Sequence, residues 1–173
     1  MKDASRLFVY TSSPEETEEL GRQLAEGLQP GTVIALTGEL GSGKTTLTKG
    51  IARGLQVSDL IHSPTFTLIH EHMGRIPLYH FDLFRLGTPQ EIEDLDCDGY
   101  FYGSGITVIE WAEKIPDLLP PDHLEVHISC EDSVRRFEIE ATGEKSRESL
   151  ARFRSAMGDM SDSMRHGETI SDE

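Results

Sequence analysis

The segment GELGSGKT, residues 38–45, has the residue types and the spacing of a phosphate-binding loop. It matches the P-loop pattern G-x-x-x-x-G-K-[ST], in which glycines let successive backbone N–H groups face one anion. The lysine of such a loop reaches the β- and γ-phosphates, and the next hydroxyl joins the Mg²⁺ shell. Lys44 and Thr45 are therefore predicted to bind a nucleoside triphosphate with its metal. A glycine-rich turn that binds nothing is the alternative, although chance gives the full pattern in only about one such chain in a few hundred.

Two acidic residues, Asp82 and Glu110, each end an apolar stretch with the composition of a buried strand, LYHFD and ITVIE. The carboxyl ends of parallel strands meet at one edge of a sheet, so either acid can face the metal, directly or through water. The alternative for each is a carboxylate that caps the next helix or pairs with Arg85. His80 shares a strand face with Asp82, and is predicted either to orient that acid or to be a satisfied core histidine.

Three hydroxyl residues, Ser63, Thr65 and Thr67, lie between the P-loop helix and the strand that ends at Asp82. In P-loop switches, a segment in this interval supplies a hydroxyl that senses the γ-phosphate and Mg²⁺. An ordinary turn stiffened by Pro64 is the alternative, and the spacing alone leaves both interpretations open.

The surrounding pattern predicts the elements that position these residues. TVIALT (32–37) is a continuous apolar run typical of a strand buried on both faces, and helix follows the P-loop. Ser13 and Glu16 form a helix-start pattern that TPQEIEDL repeats, and WAEKIPDLL is predicted to be a short helix. Two hairpins are predicted, with turns at Gly74 and at EDSV. These elements predict a three-layer α/β P-loop fold, with a mostly parallel sheet and antiparallel hairpin edges.

The composition changes near the end of the chain. Gly143 closes the predicted P-loop domain, residues 1–143. Residues 144–173 are predicted to be a polar tail, partly helical over SRESLARFRSAM or disordered, with a Ser-, Asp- and Met-rich end expected to be mobile.

Charge and composition limit the function classes. The chain has 173 residues with a net charge of −15, which repels a phosphate backbone, so tight direct binding of nucleic acid is not expected. Basic surfaces of partner proteins suit this charge, and solubility alone is the competing explanation. No apolar run approaches the ~18 residues of a membrane span, so no membrane is expected. Cys97 and Cys130 make no disulfide framework, which indicates a reducing cytoplasm.

Two further segments have compositions that could suit a partner surface. The acidic run EIEDLDCD is predicted to be a solvated helix end rather than a docking surface. The aromatic residues of YFYG are predicted to pack at the edge of the core rather than to meet a partner.

Four motifs together resemble the TsaE family. GELGSGKTT, SPTFTL, HFDLFRL and VIEWAEK occur in the order and spacing of that family, from about residue 10 to residue 143. The family comprises small bacterial ATPases needed to make threonylcarbamoyladenosine in tRNA. This chain has Phe84 where the family has Tyr, and Ala112 where Pro is usual, and neither change removes a ligand group.

The resemblance implies ligands for ATP and Mg²⁺. Thr45 and Glu110 would carry the metal, and Asp82 would be the Walker-B-like acid, bound to the metal or its waters and important for hydrolysis. Which of the two acids touches the metal stays open. The phosphates would be held by the side chain of Lys44 and by the P-loop backbone of Leu40, Gly41, Ser42, Gly43, Lys44, Thr45 and Thr46.

The resemblance also implies roles outside the P-loop. Thr65 would report the nucleotide state, and Trp111 would lie beside the site. Ser13 would approach the base or ribose, and Arg135 would lie near the nucleotide.

The function implied by the resemblance is that of an accessory ATPase, with residues 1–143 as its P-loop ATPase domain. It would hydrolyse ATP weakly alone and act with TsaB and TsaD, whose complex performs the carbamoyl transfer on tRNA. One alternative is a small-molecule kinase, which needs a basic lid that is not evident, because arginines after Arg85 recur only at 135–136 and in the tail. The other is a nucleotide-dependent binding switch without useful turnover.

Overall fold

The computed structural model describes residues 4–59, 61 and 68–165, and within these ranges seven strands form one sheet. The strands are β1 (Arg6–Thr11), β2 (Val33–Gly38), β3 (Ile69–His72), β4 (Leu78–Asp82), β5 (Ile106–Glu110), β6 (Leu124–Glu131) and β7 (Val134–Ala141). Their order across the sheet is β1-β7-β6-β2-β5-β4-β3. The central strand β2 is parallel to both β5 and β6, which explains its uninterrupted apolar run.

The sheet is parallel in its centre and antiparallel at its edges. The strands β4, β5, β2 and β6 run parallel to one another. The strand β3 joins β4, β7 joins β6 and β1 joins β7 in antiparallel pairs. The predicted α/β fold and both predicted hairpins are thus confirmed.

Helices follow the predicted start signals. Ser13 Oγ accepts a hydrogen bond from the Glu16 N–H at 3.1 Å, and Thr88 Oγ1 accepts one from the Glu91 N–H at 3.3 Å. The α-helices are α1 (Pro14–Glu26), α2 (Lys44–Gly54), α3 (Pro89–Glu93), α4 (Asp98–Phe101) and α5 (Glu144–Arg165). No helix in the described ranges is long and apolar enough to cross a membrane.

The predicted helix over WAEKIPDLL is wrong. Only Ala112–Lys114 form a turn of 3₁₀-helix, and Trp111 before it has a left-handed φ of 64°. Ile115 leaves the helical region at a φ of −131°, because the proline that follows it disfavours helical geometry at that position.

Two apolar layers lie on opposite faces of the sheet. Alternate residues of β2 separate them: Ile34 and Leu36 face α1 and α2, whereas Val33 and Ala35 face the side of α4 and the 3₁₀ turn. This arrangement gives the three predicted layers around the central strands. The second face is covered over β2, β5 and β4, and the β6–β7–β1 part of it carries exposed or half-buried side chains.

Helix α5 begins at Glu144, immediately after the predicted boundary at residue 143. Its residues Leu150 and Phe153 are fully buried in the same cluster as the strands. The division into a domain of residues 1–143 and a tail of residues 144–173 stays a prediction, but the first turns of α5 belong to the main core.

Candidate functional site

The loop between β2 and α2 has the backbone of an anion cradle. Gly38, Gly41 and Gly43 have φ values of 142°, 77° and 115°, a region that glycine enters readily and other residues rarely do. A Cβ at Gly38 would lie 2.5 Å from the carbonyl oxygen of Ile128, so close packing also requires glycine there. No side chain caps the start of α2, and its first N–H groups face the loop as donors for an anion.

Lys44 lies within this cradle and is buried. Its Nζ donates to the carbonyl oxygens of Gly38 at 2.5 Å and Glu39 at 2.9 Å, and to Ser42 Oγ at 3.4 Å. The same atom lies 3.8 Å from the centroid of a Trp111 ring. Burial lowers the pKa of Lys44, while three nearby carboxylates oppose that shift. The ammonium group is therefore held by neutral acceptors that phosphate oxygens can replace.

Thr45, Glu110 and His80 form a buried chain of hydrogen bonds beside the cradle. Thr45 Oγ1 donates to Glu110 Oε1 at 2.6 Å, and His80 Nε2 donates to Glu110 Oε2. His80 is fully buried and Glu110 is 2% exposed. Because an unpartnered buried carboxylate is costly, these two donors are what allows Glu110 to lie there.

Of the two alternatives for His80, orientation of Asp82 is wrong, because this buried histidine contacts Glu110. The parallel register of β4 and β5 sets His80 opposite Val108, which makes Glu110 its diagonal neighbour two residues further along β5. On its own strand, Asp82 lies two residues away, and the histidine ring reaches across the sheet instead.

Asp82 and Glu110 are paired residues at the carboxyl ends of β4 and β5. Asp82 is half-buried, and its Oδ1 accepts a hydrogen bond from the Phe84 N–H at 3.1 Å. Its charge is close enough to raise the pKa of Lys44. The structure thus brings both acids to the edge that carries the P-loop, and their roles toward a metal stay predictions. Among the described residues, no three His, Cys, Asp or Glu side chains form a group that could hold a metal ion. A Mg²⁺ site does not need such a group when phosphates and waters supply the remaining ligands.

Arg135 reaches the P-loop from β7. Its Nη1 donates to the Gly41 carbonyl oxygen at 2.7 Å and lies 3.6 Å from Cys130 Sγ. Ser13 uses its hydroxyl to cap α1. Thr65 lies outside the described residues, together with the other hydroxyl candidates of its segment, so the nucleotide-sensor prediction is untested.

The partners in three contacts were not predicted from the residue pattern, although the resemblance implied that Trp111 and Arg135 lie near the site. The bond from His80 to Glu110 depends on strand register, and the left-handed backbone that brings Trp111 over Lys44 has no sequence signal. The contact from Arg135 to the P-loop had one, because Arg135 alternates with Phe137 on the core face of β7, where a charge needs a partner.

Comparisons with known proteins agree with the motifs. Residues 11–137 match the family model described as "Threonylcarbamoyl adenosine biosynthesis protein TsaE". The chain is similar to the tRNA threonylcarbamoyladenosine biosynthesis protein TsaE of Bacillus subtilis, with 42% identity over 142 residues, covering 81% of this chain and 89% of the relative. The protein of that name from Nostoc is 49% identical over 113 residues, covering 62% of this chain and 69% of the relative.

A solved structure extends the agreement to the fold. The crystal structure of Bacillus subtilis YdiB matches with a TM-score of 0.77 and 35% sequence identity, covering 87% of this chain and 95% of that one. The family match spans more than half of the chain, and it includes the P-loop, both acids and Arg135. The chain therefore belongs to the TsaE family.

Proposed function

We propose that this protein is a P-loop ATPase that serves in the biosynthesis of tRNA threonylcarbamoyladenosine together with TsaB and TsaD. Membership of the TsaE family supports the pathway, since the relatives bear that name. The observation that carries the ATPase proposal is the Thr45–Glu110 hydrogen bond beside a P-loop that already holds its lysine. These parts are what a nucleotide and its metal require.

The residues present fit both a triphosphate and Mg²⁺. Positive-φ glycines form the cradle, and no described residue other than its chain neighbours lies within 4 Å of the place where a Gly41 side chain would be. Thr45, Asp82 and Glu110 supply the hard oxygen atoms that Mg²⁺ prefers. Bound there, Mg²⁺ would neutralise charge on the β- and γ-phosphate oxygens. Because Thr45 donates its proton to Glu110, its oxygen offers lone pairs to a cation.

The two cationic side chains of the site act by exchanging partners. Lys44 leaves the carbonyl oxygens of Gly38 and Glu39 for phosphate oxygens, which form stronger, charge-assisted hydrogen bonds. Arg135 is close enough to leave the Gly41 carbonyl in the same way. Such an arginine in cis is the main alternative to one supplied by a partner for neutralising the transition state.

A nucleotide-dependent binding switch is the second candidate function. Lys44 can hydrogen-bond either to the P-loop carbonyl oxygens that it contacts here or to phosphate oxygens. Two such states, with and without nucleotide, are what a switch needs even when turnover is negligible.

The test is phosphate release from ATP by the purified protein, alone and with TsaB–TsaD, at low and high salt. Hydrolysis should be slow alone and rise sharply with the complex, and the net charge of −15 predicts that added salt weakens the stimulation. Lys44→Ala should abolish ATP binding in calorimetry and all hydrolysis. Unchanged ATP affinity in that variant refutes the P-loop proposal, and slow hydrolysis unaffected by the complex favours the switch.

A further inference from the structure

In the described ranges, one part of the sheet has exposed or half-buried side chains on its second face. The strands β6, β7 and β1 pack one face on the helices, through residues such as Val126, Phe137 and Val9. The side chains on the opposite face of these strands are exposed or half-buried and form the outer face. This face comprises Phe8, Tyr10, Glu125, His127, Glu138 and Glu140. Sheets that pack one face on a core commonly leave the other polar, so the aromatic residues are the feature that needs an explanation.

Aromatic surface is exposed on β1. Tyr10 is 62% exposed and Phe8 is 41% exposed, on alternate positions of one edge strand. The guanidinium of Arg136 lies 4.6 Å from the Phe8 ring centroid, and Tyr10 is paired with Arg136 in the β1–β7 register. A cluster of Tyr, Phe and Arg is the composition enriched at the centres of protein–protein interfaces.

Three glutamates of the outer face, Glu125, Glu138 and Glu140, lie on the strands beside these rings. Glu125 and Glu140 are directly opposite each other in the β6–β7 register, an arrangement that destabilises an isolated pair of strands. Arg6 pairs with Glu138 at 3.3 Å and with Glu140 at 3.4 Å. Within the described part of the chain, the Glu125 carboxylate has neither an ion pair nor a side-chain hydrogen bond. A cation from outside would relieve this repulsion.

We infer that the outer face docks a partner protein whose surface places arginine or lysine side chains around an apolar contact. The aromatic rings supply the apolar contact, and Glu125 and Glu140 supply the complementary charge. This inference rests on the proposed function, in which the partner is the TsaB–TsaD complex.

The outer face is connected to the P-loop through β7. Successive residues of a strand point to opposite faces, so Arg136 contacts Phe8 on the outer face while Arg135 contacts the Gly41 carbonyl on the other. A partner seated on Phe8 and Arg136 is therefore one residue away from a side chain that holds the P-loop. Such a partner changes the nucleotide site if its affinity differs between two arrangements, one with Arg135 on the Gly41 carbonyl and one with Arg135 moved away from it.

The experiment measures the affinity of purified TsaB–TsaD for two outer-face variants, Tyr10→Ser and Glu125→Arg, by calorimetry. The matched controls are Tyr102→Ser, on a tyrosine 69% exposed beyond α4, and Glu93→Arg, which makes the same change in net charge on α3. Each outer-face variant should weaken binding at least about tenfold, and the controls should stay near wild type. ATP hydrolysis without partners should be unchanged in all four variants. The milder Glu125→Gln keeps the test valid where Glu125→Arg fails to fold, and it should reduce the salt dependence of binding.

The outcomes separate this inference from the proposed function. Failure of the wild type to bind TsaB–TsaD overturns the proposed partner. Wild-type binding with equal affinity for outer-face and control variants overturns the docking face alone, and so does a loss confined to Tyr102→Ser or Glu93→Arg. A wild-type dimer that Tyr10→Ser dissociates in sedimentation, with binding to TsaB–TsaD unaffected, assigns the face to a second copy and also refutes the inference.

Discussion

Replacing Glu110 by Gln tests separately whether this side chain acts on a metal and whether it stabilises the fold. Gln keeps the shape of the side chain and one acceptor oxygen but removes the negative charge. In the wild type, one carboxylate oxygen accepts from Thr45 at 2.6 Å and the other accepts from His80. The amide oxygen can keep the bond from Thr45. The amide NH₂ group then faces His80, whose Nε2 must accept and whose proton must move to Nδ1.

The expected loss of stability is modest. Hydrogen bonds to a charged group contribute about 1.5–3 kcal/mol and neutral ones about 0.5–1.5 kcal/mol, so converting two bonds lowers the free energy of unfolding by about 2–3 kcal/mol. The relocated proton on His80 Nδ1 adds no compensating bond, because that buried atom has no partner among the described residues. In a chain of this size, each kcal/mol lowers the melting temperature by about 2–4 °C.

The expected loss of activity is much larger. Changing a group that orients a metal ligand typically reduces metal affinity or activity by about 10–100-fold. Glu110→Gln should therefore hydrolyse ATP at least about tenfold more slowly at limiting Mg²⁺ than the wild type does, while remaining folded. The measurement is phosphate release across a Mg²⁺ titration with TsaB–TsaD present, together with thermal unfolding of each variant.

Glu113→Gln is the matched control. Glu113 is exposed on the adjacent 3₁₀ turn, and its charge also raises the pKa of Lys44. The control removes the same charge from the neighbourhood without touching Thr45 or His80, so its rate should stay near wild type. Wild-type hydrolysis by Glu110→Gln at limiting Mg²⁺ refutes the metal role, and an equal loss in Glu113→Gln shows that general electrostatics is responsible.

Three further predictions concern His80, the two cysteines and Asp122. His80→Gln should raise the Mg²⁺ requirement and lower ATP hydrolysis by about 10–100-fold, and a change in melting temperature alone would leave His80 a purely structural residue. At about pH 8, a thiol reagent should label the exposed Cys130 and spare Cys97, because burial raises the pKa of Cys97 to about 11. ATP should slow the labelling of Cys130, since its Sγ lies 3.9 Å from the Ser42 carbonyl oxygen in the P-loop. Equal labelling rates with and without ATP would contradict this prediction. Burial raises the pKa of Asp122, but hydrogen bonds from the start of α5 outweigh it and hold that pKa below its usual value. Asp122→Ala should therefore cost about 1–2 kcal/mol of unfolding free energy above about pH 4 in denaturant titrations, and the difference should vanish as the pH falls further; a difference that does not depend on pH contradicts the charge argument.

The backbone of the site could be predicted from the sequence because each part has local causes. The P-loop spacing requires a strand before it and a helix after it, and the acids Asp82 and Glu110 end runs too apolar to be anything but buried strands. The register of β4 on β5 is set by contacts between residues far apart in the chain, so the partner of His80 could not be read from its own strand.

The attachment of helix α5 to the core was not predicted from the composition of its segment. Its average composition is polar, and that average hides Leu150 and Phe153, which are three residues apart and therefore on one side of the helix. Both are fully buried in the main core. Two apolar residues at that spacing attach a helix to a core, whereas composition averaged over the whole segment indicates an unattached tail.

The contacts of the P-loop bear directly on why hydrolysis would need a partner. Lys44 and Arg135 are both bonded to carbonyl oxygens of the loop itself, at Gly38, Glu39 and Gly41. The proposed nucleotide binding would have to break these bonds, and only the difference between them and the phosphate bonds would contribute to affinity. Lys44 is fixed by α2, which begins with it, but Arg135 is carried by β7, whose side chains on the outer face are half-buried or exposed. Of the two cations, Arg135 is therefore the one that a partner on the outer face can reposition without disturbing the core.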